Sequence, residues 1–154
     1  MPAAKHFQPE GYRSVTPYLV VVGAAKAIDF YKKVFGATEI MRMPRPDGNV
    51  AHAELRIGDS VIMLADEMPQ MGALSPHTIG GTAVGIMVYV PDADRVFHNA
   101  VSAGSKVERE LADQFYGDRS GTFIDPFGHK WTVSTHVEDV TPEEMNARMA
   151  KMSG

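Results

Sequence analysis

One plan of alternating elements runs through this 154-residue chain twice, and that repetition restricts the fold more than any other feature. In the first pass VTPYLVVVG (15–23) reads as a strand, β-branched and aromatic, with Pro17 near its start, where a strand end tolerates it. AAKAIDFYKKVFG then switches to helical period. Ala24, Ala27, Ile28, Tyr31 and Phe35 share one stripe, Lys26, Asp29, Lys32 and Lys33 point away, and Gly36 suits the left-handed position after a helix. ATEIMRMPR is a strand and PDGN a turn. VAHAELRI and SVIMLAD are strands joined at Gly58-Asp59, a hairpin signal. The second pass repeats this: strand AVGIMVYVP, then helix DADRVFHNAVSAG, capped by Asp92 and stopped by Gly104. Strand SKVERELA, an irregular connection DQFYGDRSG, strand GTFID, turn PFGH and strand KWTVST complete it. Ile28 and Val96, Gly36 and Gly104, Ile62 and Trp131, and Leu64 and Val133 correspond at a spacing of roughly 68–69 residues. Each pass is β-α-β-β-β.

The expected organisation is one structural domain: an N-terminal arm (1–14), a first βαβββ module (15–66), a linker (67–82), a second module (83–136) and a C-terminal helical tail (137–154). The linker, EMPQMGALSPHTIGGT, has Pro and Gly breaking every period and reads as a crossover between modules or as a flap over a pocket. In the tail, Thr141 caps, Pro142 fits the first turn, Glu144 completes a capping box, and Met145, Met149 and Met152 form an apolar edge.

Composition narrows the function classes. The chain has no cysteine, so thiolate chemistry and Cys-based zinc sites are excluded. A net charge of −4 with scattered Lys and Arg argues against nucleic acid or an anionic membrane as partner. The longest apolar run, YLVVVGAA, is too short to span a bilayer, and the first residues lack the apolar core of a signal peptide. The expectation is a soluble cytoplasmic protein.

The stretch HAELRIGDSVIMLAD poses the chemical question. Alternation puts His52, Glu54 and Arg56 on one side of a strand and Ala53, Leu55 and Ile57 on the other. A two-residue Gly58-Asp59 turn sets Ile57 opposite Ser60, Arg56 opposite Val61, Leu55 opposite Ile62 and Glu54 opposite Met63. A histidine and a carboxylate on one face can belong to a metal site, an acid/base pair or a solvated sheet face.

Three segments, AIDFYKKVFGA, VPDADRVF and IDPFGHKWTV, resemble the vicinal oxygen chelate superfamily, which includes glyoxalase I, extradiol dioxygenases and bleomycin-resistance proteins. The likeness spans about residues 14 to 137. More narrowly, VTPYL, HAELRIGDSVIMLAD and DQFYGDRSGTFIDPFGHKWTVST look like its PhnB-like branch. The resemblance implies an α+β fold in which two βαβββ modules form a curved mixed sheet around a cavity, with a helical tail appended. It also implies a homodimer. Catalytic relatives hold a divalent metal through four side chains. Those positions fall here on Thr16, Met63, Gly85 and Thr132, two hydroxyls, a thioether and no side chain at all, which are poor ligands for zinc, nickel or iron. No metal and no other cofactor is therefore expected.

Met63 stands at a cavity-facing position, so Glu54 opposite it faces inward too, with His52 and Arg56. One His and one Glu fall short of a zinc ligand set. The two remain candidate catalytic residues for metal-free acid/base chemistry, since the carboxylate fixes the imidazole tautomer. The alternative is that they only bond each other and Arg56 across a wet face. For ligand binding the candidates are Thr16, Tyr18, Arg56, Met63, Gln114, Phe115, Tyr116, Arg119 and Thr132. Phe115 and Tyr116 would offer flat surface, and Gln114 and Arg119 would fix polar groups, the guanidinium fork suiting a carboxylate or phosphate. Alternatively Arg119 pairs with Asp118 or another acid on the surface. Trp131 alternates to the other face and reads as core.

The expected function is the binding of a small organic molecule in a metal-free cavity. The alternatives are a divalent-metal-dependent lyase, isomerase or dioxygenase, and metal-free acid/base catalysis by His52 and Glu54.

Overall fold

A hairpin register fixed by two turn residues carries directly into three dimensions. In the computed structural model, which describes Met1–Gly154, β3 (Val50–Ile57) and β4 (Ser60–Asp66) pair antiparallel around Gly58-Asp59. Ile57 lies opposite Ser60, Arg56 opposite Val61, Leu55 opposite Ile62 and Glu54 opposite Met63, the pairing read from the sequence. Gly58 sits at φ 57°, the left-handed conformation such a turn needs.

The chain divides into two compact units, Met1–Gly81 and Thr82–Gly154. The first contains β1 (Tyr18–Val21), α1 (Ala24–Phe35), β2 (Thr38–Pro44), β3 and β4, in the sheet order β1-β4-β3-β2. β1 runs parallel to β4, and the other pairs are antiparallel. α1 covers one face of this sheet. Ile28 and Tyr31 from the helix and Leu55 and Leu64 from the strands are completely buried, each apolar side chain contributing about 1.5–3 kcal/mol. After β4, the linker carries local order. Met68 bridges Ala73, a single 3-10 turn spans Pro69–Met71, and the four-residue helix α2 (Pro76–Ile79) is capped by Ser75.

The second unit repeats the plan with β5 (Gly85–Tyr89), α3 (Ala93–Ser102), β6 (Lys106–Asp113), β7 (Asp118–Ile124) and β8 (Lys130–His136), in the order β5-β8-β7-β6 with β5 parallel to β8. Asp92 caps α3 by accepting from Arg95 N at 3.1 Å. Trp131 is core, 1% exposed, and its Nε1 donates to Asp125. The C-terminal helix α4 (Pro142–Met152) starts at Thr141, whose hydroxyl accepts from Glu144 N, and is tied down where Arg148 forks onto Glu138 and bonds the Phe115 carbonyl.

One expectation is corrected here. The two βαβββ modules do not merge into one curved mixed sheet around a cavity. They form two separate open sheets of four strands, with β1 and β2 as the free edges of one and β5 and β6 of the other. The sequence pattern specifies strands and their faces, whereas closure needs pairing between edges that a pattern does not encode. No helix is long and apolar enough to cross a membrane.

Candidate functional site

The polar face of the first sheet gathers several of the candidate residues. Cross-strand pairing sets Tyr18 beside Met63 and Met63 beside Glu54. His52 and Arg56 flank Glu54 at two-residue steps and so point the same way. His52 Nε2 lies 3.0 Å from Glu54 Oε1, and the Tyr18 hydroxyl lies 2.9 Å from His52 Nδ1. The other Glu54 oxygen accepts from the hydroxyl of Tyr12, a residue of the N-terminal arm that sequence reasoning left out. Nothing in the arm's own pattern marks Tyr12, because its partner lies 42 residues further along the chain.

These contacts constrain the proton positions. An ionised Glu54 only accepts, so His52 Nε2 donates to it, and a neutral imidazole would accept from the Tyr18 hydroxyl at Nδ1. Bonds from His52 and Tyr12 hold the Glu54 carboxyl below its ordinary value, against the opposing effect of burial. The bond to Glu54 raises Tyr12, and burial beside the Glu54 charge raises Tyr18. Both phenols therefore stay protonated at neutral pH. Both nitrogens of His52 are occupied within the network, and the residue on its Nδ1 side, Tyr18, is half-exposed. A ligand would meet Tyr18 before it met the imidazole.

The arm covers part of this face. Arg56 Nη1 donates to the Gly11 carbonyl at 3.1 Å, anchoring the arm beside the Tyr12–Glu54 bond. Between arm and sheet lies an open cavity of about 290 Å³, lined by Phe7, Pro9, Tyr12 and Thr16 and floored by Met63. That is the low end of small-molecule pocket sizes. Thr16 turns its hydroxyl to the Arg13 carbonyl.

In the second unit the remaining candidates divide between the two faces of the sheet. DQFYGDR is a tight hairpin turn. Gln114 N donates to Asp118 O and Gly117 N to Gln114 O, and Gly117 at φ 100° has no room for a Cβ, which would sit 2.1 Å from the Glu138 carbonyl oxygen. Strand alternation then sends Arg119 towards α3, where it forks onto Asp94 at 2.7 and 2.9 Å and also pairs with Asp113. Thr132 lies on the opposite face, its hydroxyl 2.8 Å from that of Thr122. The Phe115 and Tyr116 rings meet edge to face, and the Tyr116 hydroxyl is 3.4 Å from Ser120 Oγ. Gln114 spends its amide on the Ala112 and Ser120 carbonyls.

That second polar face carries a cluster the sequence did not suggest. Asp118, 4% exposed, accepts from the Tyr89 hydroxyl and Ser134 Oγ at 3.0 Å and lies 2.7 Å from His136 Nδ1. Burial pushes its carboxyl up, but the three bonds outweigh it and leave it below its ordinary value. His136 is raised by Asp118 and by Asp139, which touches its other nitrogen at 2.8 Å. The three strands that supply this cluster become neighbours only once the sheet forms.

Neither face brings three or more His, Cys, Asp or Glu side chains into a group that could hold a metal ion. The residues at the four family ligand positions, Thr16, Met63, Gly85 and Thr132, do not fit a divalent cation either.

Comparison with known proteins agrees with this architecture. The model of the Glyoxalase/Bleomycin resistance protein/Dioxygenase superfamily matches residues 6–133. An uncharacterized protein of Mycobacterium tuberculosis (strain ATCC 25618 / H37Rv) is 45% identical over 140 residues, covering 89% of this chain and 82% of the relative. Among solved structures, protein PA1353 from Pseudomonas aeruginosa superposes with a TM-score of 0.69 at 23% identity, covering 82% of this chain and 99% of that one. TioX from Micromonospora sp. ML1 superposes at 0.64 with 26% identity, covering 81% and 99%.

Proposed function

The chain belongs to the Glyoxalase/Bleomycin resistance protein/Dioxygenase superfamily, and from that membership we propose that it binds a small, partly apolar organic molecule without the aid of a metal. The observation that carries this reading is the Tyr18–His52–Glu54–Tyr12 network beside the cavity floored by Met63. It presents a protonated phenol, an apolar wall and adaptable arm residues, which is the equipment of a binding site. Thr16, Tyr18, Arg56 and Met63 are its ligand-facing residues in this proposal. The PhnB-like branch is part of the same proposal, supported by VTPYL, HAELRIGDSVIMLAD and the run from Asp113 to Thr135. So is a homodimer, in which the exposed Met149 and Met152 of α4 would be covered.

A thermal-shift screen of small aromatic and apolar compounds tests the reading. A true ligand at one hundred times its dissociation constant stabilises the wild type by about 2.7 kcal/mol. Tyr18→Phe should keep the fold and lose most of that gain. Stoichiometric metal retained through dialysis, together with turnover, would replace the binder reading with the metal-dependent lyase, isomerase or dioxygenase.

Metal-free acid/base catalysis by His52 and Glu54 is the second reading, favoured by their 3.0 Å contact. It requires Tyr18 to leave Nδ1 or to relay a proton. It predicts a turnover that His52→Ala abolishes while the fold stays intact.

A further inference from the structure

Arg109 is set apart from the other partly buried arginines by its partners. Arg45, Arg119 and Arg148 each lie within ion-pair distance of a carboxylate. Arg56 bonds a carbonyl and stands two residues from Glu54. Arg109, half-buried on β6, instead donates from Nη2 to Ser120 Oγ at 3.2 Å and to Thr122 Oγ1 at 3.4 Å, both neutral hydroxyls. A guanidinium has five N–H donors, so Nη1 and Nε keep theirs for another acceptor. A cation partly withdrawn from water with only neutral partners is under-compensated, and an anion would relieve it.

The geometry points to a second binding site on the polar face of the second sheet, in which Arg109 takes the carboxylate of a singly charged ligand with an apolar or aromatic body. Thr122 and Thr132, with hydroxyls 2.8 Å apart, continue the row of rotatable donors beside the guanidinium. Met87 pairs with Thr132 and Tyr89 with Ser134, so both side chains stand on this same face. They are 51% and 62% exposed, an apolar and an aromatic surface next to the charged end.

Charge decides the class of anion. Arg109 is the half-buried cation of this face that has no carboxylate partner, and the buried carboxylate of Asp118 lies two residues from Ser120 on the same strand. One negative charge is matched there. The second charge of a phosphate monoester would add to the negative charge that Asp118 already places on this face. The site rests on residues of the second unit alone and does not depend on the cavity beneath the arm.

Calorimetric titration of the full chain with phenylacetate, phenylacetamide and phenyl phosphate tests this, with backbone amide shifts recorded at Thr122 and Thr132. Phenylacetate should bind the wild type and Arg95→Met alike, Arg95 being an exposed arginine of α3. Affinity should fall about tenfold or more in Arg109→Met and recover in part in Arg109→Lys, as expected for a lost charged hydrogen bond. The neutral amide should be weaker by a similar factor, and phenyl phosphate should also be weaker. Should Arg109→Met not fold, Arg109→Lys and Thr132→Val carry the comparison. The proposal is overturned by phenylacetate binding that ignores position 109, by equal affinity for the amide, by tighter binding of phenyl phosphate, or by no shift at Thr122 and Thr132 at the highest soluble concentration.

Discussion

Asp66 shows how much a single side chain can hold together. Its Oδ1 accepts from Gly23 N at 2.8 Å and Ala24 N at 2.9 Å, and its Oδ2 accepts from Val50 N at 2.8 Å. Gly23 brings no side-chain cap to α1, so this carboxylate from the end of β4 does the capping, and it also pins the start of β3. Removing it strands buried donors. Asp66→Ala should lower unfolding stability by about 2–4 kcal/mol, read from the urea midpoint at unchanged m, and Asp66→Asn should lie between. The sequence shows Asp66 only as the last letter of a strand. Tyr12, Arg109 and Asp118 were hidden in the same way, since each owes its role to partners on other elements. His52, Glu54 and Tyr18 were legible because alternation along one strand and the register of one turn suffice to set them on a shared face. Arg119 pairs with acids, the alternative left open by the sequence, but which face it takes was not legible while DQFYGDRSG read as irregular. Once β7 is known to begin at Asp118, the same alternation sends Arg119 to the helix side.

At the scale of elements, the helices and the first hairpin were readable because each is governed by local rules: a stripe at helical spacing, a capping residue, a two-residue turn. β6 was harder. Its pairing with β7 shifts register between Val107 and Arg109 and again between Arg109 and Ala112, which breaks the period-two signal around Arg109. A close approach next to it was equally invisible. A Cβ on Gly121 would meet Phe97 Cε2 at 2.7 Å and the Leu111 backbone at 3.0 Å, so the glycine is what lets α3 and β6 pack this tightly against β7. Gly121→Ala should cost about 1–3 kcal/mol through overpacking, visible as a lower denaturation midpoint.

Across the whole molecule, both sheets combine a helix-covered apolar face with a polar face that holds a buried carboxylate bonded to Tyr and His, Glu54 in one unit and Asp118 in the other. Both carboxyls are lowered, so each contributes stability that is present above its unfolded value and lost as pH falls through its folded value. His136 is raised and has the opposite sign. Its contribution is present below the unfolded value of 6.5 and fades as pH rises through the folded one. Unfolding midpoints measured from pH 3 to 9 should fall on the acid side for the wild type and fall less for Asp118→Asn. The gap between wild type and His136→Asn should narrow towards the alkaline end. The duplicated pattern announced two equivalent halves but not how their edges would end, and the expectation of one curved mixed sheet around a cavity came from the family likeness. The parallel partnership of each opening strand with its closing strand has a kinetic meaning as well. Neither β1 nor β5 can find its neighbour until nearly all of its own unit has left the ribosome. Hairpins therefore assemble early and the outermost strand docks late, so the slowest step in each half is the return of its beginning to its end.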